Sequence, residues 1–136
     1  NSHLHIARLL LDAINAFNLH DGKARTFGTD HLLSVSEIHM IDYLGHHRGS
    51  SVTRMAQDLM VTKGAVSQMA KKLDVRGYLS RAEGPDLTEK GLTAYREHTS
   101  YHQNLEQHID TILQTASVEQ KQMIGIFLHE MTTYWK

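Results

Sequence analysis

The chain has no cysteine, a single proline and few aromatic residues, with three Phe, five Tyr and one Trp among 136 residues. Without cysteine there is no disulfide framework and no thiolate metal site, and the expected compartment is the cytoplasm. There is no signal peptide pattern and no apolar run long enough to span a bilayer, so no membrane partner is expected. Repeats and low-complexity segments are also lacking. One small domain over residues 1–136, with one core, is the expectation from length.

Charge is scarce overall but unevenly placed. The formal net charge is -1. Residues 54–81 carry six basic and two acidic side chains, whereas residues 1–53 sum to -1 and residues 82–136 to -4. Phosphate attraction follows the local field rather than the total, so this segregation marks 54–81 as a candidate nucleic-acid face.

That segment carries the most informative pattern. Thr53 is positioned to cap a helix with apolar positions Met55, Ala56 and Leu59, and Thr62 to cap a second helix with Val66, Met69, Ala70 and Leu73 inward. The second helix turns Lys63, Gly64, Ser67, Gln68, Lys71 and Lys72 away from the apolar stripe. Small and hydrogen-bonding groups near the start with cations further on are what a major groove requires. Gly77 stops the helix in a C-cap position. Tyr78 to Arg81 and Asp86 to Thr88 read as a hairpin, with Arg81 near the phosphate backbone; Thr53, Arg54 and Thr62 complete the candidate DNA contacts. A solvated helix pair with a short hairpin is the plainer alternative.

Both flanks are amphipathic. Ile6, Leu9, Leu10, Ala13, Ile14 and Phe17 recur at helical spacing over residues 4–19, and Ile124, Phe127, Leu128, Met131, Tyr134 and Trp135 do so at the other end. Such stripes either close a monomer core or form a dimer interface, and a homodimer is expected. HDGKARTFGTD, residues 20–30, reads as the loop between the first two helices.

The order LSVSEIHMIDYL, VTRMAQDL, TKGAVSQMAKKLDVRGYLSR and LTEKG resembles the MarR family of dimeric winged helix-turn-helix transcriptional regulators. The resemblance implies a mainly α fold, with a winged helix-turn-helix core over 33–91 and dimerisation helices and loop in 1–32 and 92–136. It also implies a homodimer on double-stranded operator DNA, and no enzyme activity. The segment between the strands, Arg81 to Asp86, is shorter than the family's usual basic wing, so either the wing is truncated or its tip is missing from the sequence given.

Eleven histidines are the second signal. Tyr95, His98, His102, Leu105, Ile109, Ile112 and Ala116 alternate spacings of three and four, which turns His98 and His102 inward, one helical turn apart. Such a pair can share a metal ion or be two interfacial histidines. Within the MarR family, the zinc-responsive adhesin competence repressor subgroup joins a second-helix histidine to a fifth-helix pair. By that resemblance His39, His98 and His102 are metal ligands, and Asp21, or its neighbour His20, is the fourth. The subgroup's auxiliary site is incomplete: Glu97 is present, but Phe27 and Ile38 stand where donors are expected.

The resemblance therefore implies a zinc-dependent repressor of metal uptake genes, with zinc fixing the roughly 34 Å separation of two recognition helices. Alternatives are a regulator responsive to a small aromatic ligand, or a histidine-rich metal-buffering or pH-sensing protein. His3, His5, His31, His46, His47, His108 and His129 read as solvated. HEMTT, residues 129–133, lacks the second histidine of a zincin motif.

Overall fold

The computed structural model describes residues 5–82 and 84–136. The order is α1 (Ile6–Asp21), α2 (Val35–His46), α3 (Val52–Leu59), α4 (Lys63–Val75), β1 (Leu79–Ser80), β2 (Asp86–Leu87), α5 (Glu89–Ile112), a 3-10 turn (Leu113–Thr115) and α6 (Val118–Trp135). Two compact units result, residues 1–99 and 100–136, with α5 running from the first into the second. His3 and Leu4, read above as solvated and as the start of the first helix, lie outside the described residues.

Hydrogen-bonding side chains set the helix starts. Ser34 and Glu37 close a capping box on α2, with the Ser34 amide donating to Glu37 Oε1 at 2.8 Å and Ser34 Oγ accepting from the Glu37 amide. Thr62 caps α4 as expected, accepting from the Ala65 amide at 3.0 Å. The cap of α3 is not Thr53 but Ser51, which accepts from the Arg54 amide at 3.1 Å. Thr53 lies inside the first turn, whereas Ser51 has the extended backbone that a cap requires, φ -74° and ψ 160°.

Helix α4 ends on two crossed bonds, Gly77 N to Asp74 O and Tyr78 N to Leu73 O. Gly77 adopts the left-handed φ of 86° that this ending needs, one residue past the C-cap Arg76. The ending turns Tyr78 into the core beside Leu73, both fully buried. From there β1 pairs antiparallel with β2, Leu79 opposite Leu87 and Ser80 opposite Asp86. The strands are two residues each, shorter than the expected spans, and the turn between them includes Glu83, which lies outside the described residues. Gly91 lets α5 start against the junction of α4 and β1, since a Cβ there would stand 2.0 Å from the Tyr78 carbonyl oxygen.

The core belongs to the first unit: Leu33, Ile41, Leu44, Met55, Val66, Leu73, Tyr78 and Leu79 are its largest fully buried members. Helices α1 and α6 contribute no buried residue. Their apolar stripes, including Ile6, Leu9 and Phe17 on α1 and Ile124, Phe127, Leu128, Tyr134 and Trp135 on α6, remain exposed in the single chain. The expected inward stripe of α5 holds only partly. His98 is buried and His102 half-buried, but Ile109 and Ile112 are exposed. No helix among the described residues is long and apolar enough to cross a membrane.

Candidate nucleic-acid interface and histidine site

The helix-turn-helix is built by α3 and α4 around a three-residue turn, Met60 to Thr62. Val66, Ala70 and Leu73 seat α4 on the core, and this fixes which residues face out. Lys63, Gly64, Ser67, Gln68, Lys71 and Lys72 are all exposed, as the periodicity requires.

The cations of this face differ in their engagements. Lys63 and Lys71 have no carboxylate partner among the described residues. Arg54 pairs with Asp58 at 3.2 Å and Arg81 with Asp74 at 3.0 Å. Lys72 places Nζ 2.7 Å from Glu37 Oε2, and Arg76 approaches the same oxygen at 3.4 Å. Glu37 is only 2% exposed. Burial pushes its carboxyl upward, but the Lys72 hydrogen bond, the Ser34 amide and the two cations outweigh this and hold it below the usual carboxylate range. Lys72, expected among the DNA contacts, is thus engaged with a carboxylate of α2. Periodicity alone could not reveal a partner 35 residues away on α2.

A second concentration of functional groups lies where α2 meets α5. His98, 7% exposed, has its Nδ1 3.2 Å from Asp42 Oδ1. The His39 ring lies 6.4 Å from the His98 ring, edge to face, and Phe27 covers another side of His98 at 5.6 Å. Asp42 Oδ2 also approaches His46 Nδ1 at 3.6 Å. Asp42 was not singled out from the sequence, although its place three residues after His39 puts both on one face of α2.

The other expected ligands are placed as follows. Asp21 is the last residue of α1 rather than a loop residue, half-buried, and His20 precedes it with its carbonyl accepting from Arg25 Nη2. His102 belongs to the second unit, beside the Tyr101 ring at 5.6 Å. Among the described residues no three His, Asp or Glu side chains are gathered as a metal-holding group. His31, expected to be solvated, is half-buried between Asp30 and Lys90. His39 also borders an apolar groove of about 240 Å³ lined in part by Met40, Leu59, Val61 and Met69.

No protein-family model matches the chain. A Bacillus subtilis relative, the uncharacterized HTH-type transcriptional regulator YhjH, is 27% identical over 79% of this chain; the match spans 66% of the relative's length, just under two thirds. Lactococcus lactis ZitR superposes with a TM-score of 0.78 at 21% identity, covering 100% of this chain and 99% of that one. Streptococcus pneumoniae FabT in complex with DNA gives 0.74 at 24% identity, covering 96% and 94%. The zinc-bound form of AdcR, a zinc-dependent MarR family regulator, gives 0.74 at 17% identity, covering 97% and 99%. The chain therefore has the MarR winged helix-turn-helix fold.

Proposed function

We propose that this protein is a sequence-specific, dimeric, DNA-binding transcriptional regulator, and that it responds to zinc. The observation that carries the DNA reading is α4 itself. It is seated by Val66, Ala70 and Leu73 on a complete core, yet presents Ser67, Gln68, Lys63 and Lys71 outward as one basic, hydrogen-bonding face. The relative named as an HTH-type transcriptional regulator and the DNA complexes of ZitR and FabT support it. A homodimer follows from the exposed apolar stripes of α1 and α6, which a single chain leaves in water. The cytoplasm is then the place of work, and no catalytic role is called for.

The zinc reading rests on the histidines. Asp42 accepts from His98 Nδ1, the arrangement in which a carboxylate orients a ligating imidazole. His39 faces the same ring from α2. His102, four residues on in the sequence, and Asp21 or His20 complete the ligand set in this reading. Imidazole and carboxylate donors suit zinc, which when bound would supply a fixed cross-link between its ligands. ZitR is described as zinc-responsive and AdcR as zinc-dependent, and the sequence resemblance to the zinc-responsive subgroup makes metal uptake genes, held repressed, the proposed targets. The groove beside His39 favours a second reading, response to a small aromatic ligand.

Selection from a random duplex library, with zinc and with chelator, tests both levels. Enrichment of one sequence family in zinc alone is the expected result. Enrichment that is equal in chelator removes zinc and leaves the small-ligand reading, while no enrichment in either condition removes the DNA reading. Replacing His102 by Ala should abolish the zinc stimulation and leave a folded dimer.

A further inference from the structure

Glu37 is the buried carboxylate of the first unit, and its surroundings are arranged around its charge. One oxygen takes the Ser34 amide, and the other takes Lys72 at 2.7 Å and Arg76 at 3.4 Å. Lys72 and Arg76 are four residues apart on α4, so both project from one strip of that helix toward α2. Lys71 is the adjacent residue but points about 100° further round.

The exposed pairs of Arg54 with Asp58 and Arg81 with Asp74 are of a different kind. Both carboxylates there can be rehydrated, so a DNA phosphate can take the cation at little cost. Taking Lys72 away would leave a charge buried without its nearest partner, which is strongly unfavourable. Lys72 is therefore withheld from phosphate even though its side chain is half exposed.

We propose that Glu37 is a positioning residue of the DNA-reading surface: by holding Lys72 and Arg76 it fixes the face that α4 presents and keeps Lys72 from contributing sequence-blind attraction. The inference rests on the DNA-binding reading and deepens it. Discrimination between sequences then depends on Glu37, although Glu37 does not touch DNA. The electrostatic part of affinity comes from Lys63, Lys71 and the exchangeable arginines.

The salt dependence of binding separates a phosphate contact from a strut, because each neutralised phosphate adds about 0.9 to the slope of log affinity against log salt. The probes are the duplex enriched from the random library and a scrambled duplex of equal length, bound by the full chain in a salt series. Lys71→Gln should lower the slope by about 0.9 on both duplexes. Lys72→Gln should leave the slope on the scrambled duplex at the wild-type value and reduce the enriched-to-scrambled affinity ratio about tenfold. Glu37→Gln keeps an amide oxygen for the Ser34 cap but frees Lys72, so its slope should rise by about 0.9 while the ratio falls.

A Lys72→Gln slope that drops as far as that of Lys71→Gln overturns the proposal and leaves the DNA reading standing. So does a Glu37→Gln protein with wild-type slope and ratio. If Glu37→Gln does not fold, the Lys72→Gln comparison decides alone, since that side chain is half exposed. Wild-type protein that binds neither duplex removes the DNA reading, and the positioning role with it.

Discussion

Tyr43 donates its phenolic hydrogen to the Asp58 carboxylate at 2.6 Å, joining the last part of α2 to the last turn of α3. Arg54 reaches the same oxygen at 3.2 Å, and the His47 ring stacks on Tyr43 with centroids 4.3 Å apart. Tyr43 is buried and otherwise packed in the core, so its hydroxyl has this bond as its strong partner.

Tyr43→Phe removes the hydroxyl without changing the ring. The thermal midpoint should fall by about 3 °C. Asp58→Asn should be nearly silent in the Tyr43→Phe background, and a double-mutant cycle in melting experiments checks the coupling.

Met60 ends α3 in the left-handed conformation, φ 59°, with its side chain 90% exposed. Left-handed backbone costs an L residue about 1 to 2 kcal/mol, and glycine in exchange loses about 0.5 to 1 kcal/mol of chain entropy on folding. Met60→Gly should therefore stabilise the protein by about 0.5 to 1 kcal/mol in urea titration. Met60→Ala keeps the strain and should give no such gain.

Acid should destabilise through carboxylates rather than gradually through the neutral range. Asp58 is lowered chiefly by its bond from Tyr43 and Asp86 by its bond from Arg48; Glu37 is lowered by its cation partners against the opposing effect of burial. A lowered folded pKa means that the unfolded chain binds more protons, so stability rises with pH across the interval and is complete above the unfolded value. Urea midpoints should stay level from neutral pH to about 5 and fall from about pH 4 downward. A steep fall already between pH 7 and 5.5 would place the sensitivity elsewhere.

Gln68 stands exposed in the second turn of α4, beside Ser67. If its amide reads a base edge, Gln68→Ala should cost about 1 to 3 kcal/mol on the enriched duplex and change little on a scrambled one. Repeating the library selection with the variant should show relaxed preference at one or two base pairs of each half-site.

Helix order and the outward face of α4 were legible because apolar spacing fixes both within a dozen residues: Val66, Ala70 and Leu73 determine where Ser67, Gln68 and Lys71 point. Thr62 was legible as a cap for the same local reason. The cap of α3 was not legible as Ser51 because hydroxyl residues stand at both 51 and 53, and only backbone geometry decides which one accepts. Lys72 with Glu37 and His98 with Asp42 were invisible because those bonds cross 35 and 56 positions of sequence. The inward stripe of α5 fades after Leu105 since periodicity marks a face to be covered without saying by what.

Trp135 is the only tryptophan, and it lies exposed at the end of α6 in the second unit, whereas Tyr43 and Tyr78 are buried in the first. The chain thus carries a built-in pair of optical reporters. Indole emission follows the second unit together with the α6 stripe proposed for the dimer, and near-ultraviolet tyrosine dichroism is weighted toward the winged helix. Unfolding curves recorded with both coincide if the units melt together, and any gap between them reads the cooperativity of the whole chain directly, with no label added.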